Sequence, residues 1–135
     1  MSPTFEVGQQ LPAQTYPVTR ADLIRYAGAS GDFNPIHWSE RTARTVGLPG
    51  VIAHGMFTMA LAGRALDVWA GGPGKVLEFG VRFTKPVPVP DDDDGTEVTV
   101  SGSVRSVADG TAQVDLTVVA GAEKVLAQAK AVLRP

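Results

Sequence analysis

The chain has no cysteine, which excludes disulfides and thiolate metal sites and fits a reducing compartment. It has no basic excess either. Twelve Lys and Arg stand against fourteen Asp and Glu, so the basic stripe of a nucleic-acid binder is missing. No apolar run reaches the ~20 residues needed to cross a bilayer. Met1 to Glu6 lack the charged start and apolar stretch of a secretory signal. These absences lead us to expect a cytoplasmic protein with no membrane contact and no nucleic-acid partner. At 135 residues the chain is long enough for a substantial core, and residues 1–135 read as one domain.

What is present concentrates in one short stretch, Gly31-Asp32-Phe33-Asn34-Pro35-Ile36-His37. It places a carboxylate, an amide and an imidazole on a backbone that Gly31 and Pro35 keep out of regular helix or sheet, so that all three can aim at one point. The second pole is Ala53-His54-Gly55-Met56, where a glycine opens a long apolar segment. At a helix start the first N–H groups have no partner within the helix and can face a ligand. Acid/base groups beside free amide donors describe an enzyme site.

The rest of the chain supplies the frame. Residues 14–18 read as a short strand in an entry arm punctuated by Pro12 and Pro17. Thr19-Arg20-Ala21-Asp22 has capping-box spacing and predicts a helix from Arg20 to Ala29, with Gly28 and Gly31 as stops. Ser39 caps a further short helix that runs to about Val46. From Gly55 to Trp69 the pattern is apolar on nearly every side, which predicts a helix buried inside the protein. Small residues at 60, 62, 63 and 65 would let a surrounding sheet approach it closely. After this helix the period is two. Leu77, Phe79, Val81 and Phe83 line one strand face, and Pro86, Pro88 and Pro90 bend the chain away from central pairing. Val98, Val100 and Val104 mark the next strand, Asp109-Gly110 a hairpin, and Ala112, Val114, Leu116 and Val118 the strand after it. Val125, Ala127, Ala129, Ala131 and Leu133 mark the last strand, where the alanines would also suit a helix. The fold class is α+β, with an antiparallel sheet wrapped around one long central helix.

Tyr26, the spaced Gly31-Asp32-x-Asn34-Pro35-x-His37 with Ala43, and Ala53-His54-Gly55-Met56 together resemble the MaoC-like, or (R)-specific enoyl hydratase, family. Asn34-Pro35-Ile36-His37-Trp38, Val81-Arg82-Phe83-Thr84 and Val87-Pro88-Val89-Pro90 extend the likeness over nearly the full length. Within that family they are similar to the beta subunits of mycobacterial-type (3R)-hydroxyacyl-ACP dehydratases. The resemblance implies a hot-dog fold acting as a dimer and reversible syn addition of water to a trans-2-enoyl thioester, in type II fatty acid or mycolic acid elongation. It implies Asp32 and His37 as the catalytic pair, Asn34 positioning them or the water, and the Gly55 amide holding the thioester carbonyl. It implies acyl-ACP or acyl-CoA as substrate, and a homodimer or a heterodimer with another hot-dog subunit. Some relatives carry a serine where Gly63 stands here, so that hydroxyl is missing.

The chemistry accounts for these residue types. Dehydration removes a weakly acidic C2 proton and protonates a poor leaving group, so an acid and a base must flank two adjacent carbons, each contributing roughly 10²- to 10⁴-fold. Charge that builds on the thioester oxygen suits an amide at a helix N-terminus. His54 is assigned a bracing role. No cofactor is expected, and no metal, because two histidines without a clear third ligand rarely hold one. Arg41 and Arg44 read as a solvated helix face that can also meet phosphates or an acidic carrier protein. Asp91 to Asp94 read as a solvated turn without calcium-loop spacing. A noncatalytic acyl-binding subunit and a hot-dog thioesterase remain the alternatives.

Overall fold

The computed structural model describes residues 3–135. Five strands form one antiparallel sheet in the order β1 (Gln10–Val18), β3 (Thr96–Ala108), β4 (Thr111–Ala120), β6 (Leu126–Leu133) and β2 (Val76–Phe83). A short β5 (Glu123–Lys124) pairs with β4 off this path. The helix α3 (Gly55–Ala70) packs on the inner face of the sheet. Between β1 and α3 run α1 (Arg20–Ser30), a single 3₁₀ turn (Pro35–His37) and α2 (Glu40–Thr45).

Local chemistry sets these boundaries. The hydroxyl of Thr19 and the carboxylate of Asp22 complete a reciprocal capping box at the start of α1, with the Thr19 N–H donating to Asp22 Oδ2 at 2.9 Å. Gly31 ends α1 at φ +78°, a left-handed conformation that suits glycine. Asp109 and Gly110 both have positive φ and join β3 to β4, as the hairpin pair predicted. Val98, Val100 and Val104 of β3 face the core with Val114, Leu116 and Val118 of β4.

Four expectations need correction. The first strand begins at Gln10 rather than Gln14. Pro12 is accommodated because β1 is an edge strand whose register shifts between Leu11 and Gln14. The central helix is not buried all round. Leu61, Ala62, Ala65, Leu66 and Trp69 are buried, but Met56 and Val68 are 56% and 57% exposed because the sheet covers one side only. Strand β2 does not keep a single apolar face. Its register shifts twice, and Leu77 and Phe83 stand half exposed while Phe79 and Val81 pack on the core. In β6, Gln128 takes φ +49° and inserts a bulge, so Leu126 replaces Ala127 on the buried face beside Ala129, Ala131 and Leu133.

The proline-rich segment does leave the main sheet, and it gains a partner of its own. Ala53 N–H donates to Val87 O at 2.9 Å, and Val89 N–H donates to Val51 O at 3.0 Å. Val51, Val87 and Val89 are buried in this small ladder, which carries the chain into α3.

Candidate active site

The Gly31–His37 turn is built by its own polar groups. Asp32 Oδ1 accepts from Asn34 N–H at 3.2 Å, and Asn34 Oδ1 accepts from Ile36 N–H at 3.2 Å, capping the 3₁₀ turn. Asn34 therefore shapes the bend with its side-chain oxygen. Pro35 supplies a fixed φ at the first position of the turn. Trp38 fastens the outside by donating from Nε1 to Phe33 O at 2.9 Å.

His37 is buried, and its Nδ1 lies 2.8 Å from Ile52 O. A carbonyl only accepts, so Nδ1 carries the proton and neutral His37 keeps its lone pair on Nε2. That Nε2 lies 3.9 Å from Asp32 Oδ2. The separation is too wide for a direct hydrogen bond but suits one oxygen atom bonded to both, at an angle of about 90°. Asp32 is half exposed, so the pair opens outward.

His54 joins this turn to α3. Its Nε2 donates to Asp32 O at 3.1 Å, and its ring stacks on His37 with centroids 3.8 Å apart and 23° between planes. Tyr26 of α1 closes the other side at 4.7 Å. Burial pushes His54 below its ordinary pKa, against an opposing contribution from its bond to the Asp32 carbonyl. The ring is accordingly neutral near pH 7. Its Nδ1 is buried without a partner, one of two such side-chain atoms among the described residues, the other being Tyr16 Oη.

The next residue, Gly55, is the first of α3, and its N–H has no acceptor within the helix. A Cβ built on Gly55 would sit 3.0 Å from Cε1 of Phe83. A side chain here would therefore press on the Phe83 ring. Beside it lies an apolar cavity of about 330 Å³, lined by Ile52, Ala53, Gly55, Thr58, Phe83 and Leu126. A larger depression of about 500 Å³ lies among Glu78, Arg105, Gln113, Asp115 and Lys130. It contains no helix start, and Arg105 there is already paired with Asp115 at 2.9 Å; the smaller cavity reaches the first residue of α3 and the Ile52 that bonds His37, although Asp32, His37 and His54 do not line it.

The two poles of the sequence reading therefore adjoin. Asp32, His37 and His54 also bring one ligand atom each within 4.8 Å of one another, so the third metal ligand that the sequence reading lacked is present. The histidine rings are nearly parallel, however, and in-plane lone pairs on stacked rings do not converge on one ion. Arg41 and Arg44 are exposed on α2, with Arg44 Nε 4.0 Å from Glu40 Oε1. Asp91 to Asp94 form an exposed bend in which Asp92 Oδ1 accepts from the N–H groups of Asp94 and Gly95. The sequence reading missed Ile52, which acts through its carbonyl and leaves no side-chain signal. It also missed Phe83 as a cavity wall, because the residue looked like any strand position.

No helix among the described residues is long and apolar enough to cross a membrane. A family model described as a MaoC like domain matches residues 4–122. The chain is 44% identical over 79 residues to 3-hydroxyacyl-thioester dehydratase X of Mycobacterium tuberculosis, covering 58% of this chain and 27% of that protein. It therefore spans about a quarter of that relative's length. A MaoC-like dehydratase structure superposes with TM-score 0.91 at 38% identity, over 96% of this chain and 40% of the other. An (R)-hydratase from A. caviae involved in PHA biosynthesis superposes with TM-score 0.82 at 28% identity, over 97% of each chain. The antiparallel sheet around one helix is the hot-dog fold, and the chain belongs to the MaoC-like domain family.

Proposed function

We propose that this chain catalyses reversible dehydration of (3R)-hydroxyacyl thioesters to trans-2-enoyl thioesters. The observation that carries this reading is the 3.9 Å gap between Asp32 Oδ2 and His37 Nε2, wide enough for one shared oxygen and adjoining the start of α3. In the hydration direction Nε2 of neutral His37 or the Asp32 carboxyl takes a proton from the water as its oxygen bonds to C3, and the pair passes that proton on to C2, so the count held by the pair is unchanged. Both groups sit on one side of the bound chain, which makes the addition syn. The Gly55 N–H is the donor for charge on the thioester oxygen. Asn34 holds the turn and His54 braces both members of the pair. The cavity walled by Phe83 and Leu126 takes the acyl group.

The names of the relatives support the reaction class, and the likeness to dehydratase beta subunits supports a role in fatty acid or mycolic acid elongation on a carrier protein or coenzyme A. A cytoplasmic location suits substrates of that kind, and the reading takes residues 1–135 as one domain. Assembly into a homodimer, or a heterodimer with a second hot-dog subunit, would cover Met56 and Val68 on α3 and Leu77 on the β2 edge, all more than half exposed.

The test is hydration of crotonyl-CoA by wild type, His37→Ala and Asp32→Asn, with folding checked by circular dichroism. Each variant is expected to lose on the order of 10²-fold or more in rate. Loss of enoyl absorbance without free thiol supports hydration, and free thiol points to a thioesterase. Wild-type rates in both variants would refute the site.

A further inference from the structure

Glu40, the first residue of α2, reaches two other parts of the chain at once. Its Oε2 accepts from Arg20 Nη2 at 2.8 Å, and its Oε1 accepts from Val51 N–H at 2.9 Å. Arg20, the first residue of α1, also donates from Nε to Val89 O. Val51 and Val89 are themselves hydrogen-bonded, so one ion pair grips both sides of the small ladder that leads into α3. The place is shaped for the carboxylate, since any Cβ on Gly50 would overlap Glu40 Oε1. The Arg20 guanidinium and the Val51 N–H hold the Glu40 carboxyl below its usual range, so it is ionised at neutral pH. Arg44 is the other cation facing it. One residue beyond Val51, the Ile52 carbonyl accepts from His37 Nδ1, while Ile52 N–H donates to Ile36 O at 3.2 Å.

We propose that Glu40, anchored by Arg20, is a positioning residue for His37: it fixes the Val51–Ile52 segment whose carbonyl orients the imidazole with Nε2 toward Asp32. This rests on the reading of His37 as one of the reacting pair. The reach of the carboxylate to Val51 matters, and its charge matters less. Three variants separate reach from charge. Glu40→Ala removes both. Glu40→Asp keeps the charge but is one methylene too short to hold Val51 N–H with the same backbone. Glu40→Gln keeps an oxygen within reach of Val51 N–H but discards the charge and sets an NH2 against Arg20 Nη2, so it also loosens the anchor.

The experiment measures kcat and KM on crotonyl-CoA, together with the NMR signal of the His37 Nδ1 proton. Glu40→Ala and Glu40→Asp are expected to lose about 10- to 100-fold in kcat with KM held within about twofold, as a misoriented group does. That signal should move upfield and broaden in both, because the Nδ1–H bond to the Ile52 carbonyl is loosened. Glu40→Gln is expected to stay within about threefold of wild type in kcat. The proposal is overturned if thermal stability falls while kcat and the His37 Nδ1 proton signal stay put, or if Asp is active and Gln is not. An inactive His37→Ala beside a normal Glu40→Ala defeats this inference alone, whereas a fully active His37→Ala defeats the reaction assignment as well. If Glu40→Ala does not fold, the Asp and Gln pair decides the question.

Discussion

A single methyl group at position 55 probes the junction between helix and cavity. Gly55 has no positive φ, so Gly55→Ala meets no backbone strain, and alanine at a helix start favours the helix by up to about 1 kcal/mol. The methyl would lie 3.0 Å and 3.1 Å from two carbons of the Phe83 ring. Contacts at this separation are tighter than ordinary packing, so the ring must give by a few tenths of an ångström. Phe83 is 51% exposed at the end of an edge strand and can do so, leaving net stability within about 1 kcal/mol of wild type. Activity is a different matter, since methyl and displaced ring both border the 330 Å³ cavity. A misplacement on the order of 1 Å costs about 10²-fold, or about 2.7 kcal/mol in kcat/KM.

Phe83→Ala supplies the control. Full burial of a phenylalanine is worth about 3–5 kcal/mol against alanine, so a half-exposed one should cost roughly 1.5–2.5 kcal/mol of stability. The double variant should recover part of the activity, with a coupling of about 1–2 kcal/mol in kcat/KM. Hydration of crotonyl-CoA and of longer enoyl thioesters, beside thermal denaturation, measures all four proteins. A fully active Gly55→Ala would refute the assignment of this cavity. A loss that Phe83→Ala does not relieve would show that the methyl acts without the ring.

The depressed pKa of His54 makes the fold acid-sensitive. As pH falls below about 6.5 the unfolded chain takes up the proton first, so wild-type stability is complete above that value and declines below it. His54→Gln, which retains a donor for Asp32 O, should flatten this limb in denaturant titrations at several pH values, and an equally steep limb would show that another group is responsible. For assembly, Leu77→Lys should weaken self-association by about tenfold or more, judged from half of a leucine's burial energy plus a charge on the edge. Sizing over a concentration series checks it, and a fully active wild-type monomer would dismiss the dimer.

What could be read from the residues was whatever depends on local chemistry. The Thr19–Asp22 box, the Asp109-Gly110 hairpin and the glycine opening α3 each act within a few residues, and each stands in the structure where the pattern put it. The misread boundaries have tertiary causes. Pro12 argues against a strand unless β1 is known to be an edge, and the Gln128 bulge is set by pairing with β2 rather than by its neighbours. Met56 and Val68 look like core residues until the sheet is seen to cover one side of α3. At the site, the approach of Asp32 to His37 was legible because polar side chains stand out at fixed spacing. The stacking of His54 on His37 and the grip of Glu40 on Val51 link segments 17 and 11 residues apart, and no local pattern announces them.

Three of the groups that assemble this pocket belong to peptide units: the carbonyls of Asp32 and Ile52 and the amide hydrogen of Gly55. Side-chain replacement at residue 52 leaves its oxygen in place, so the bond to His37 survives even where the cavity wall changes. Alanine scanning is blind to such groups. Amide-to-ester exchange in a semisynthetic chain, swapping the nitrogen of residue 55 for oxygen, is the alteration that would subtract one of them alone.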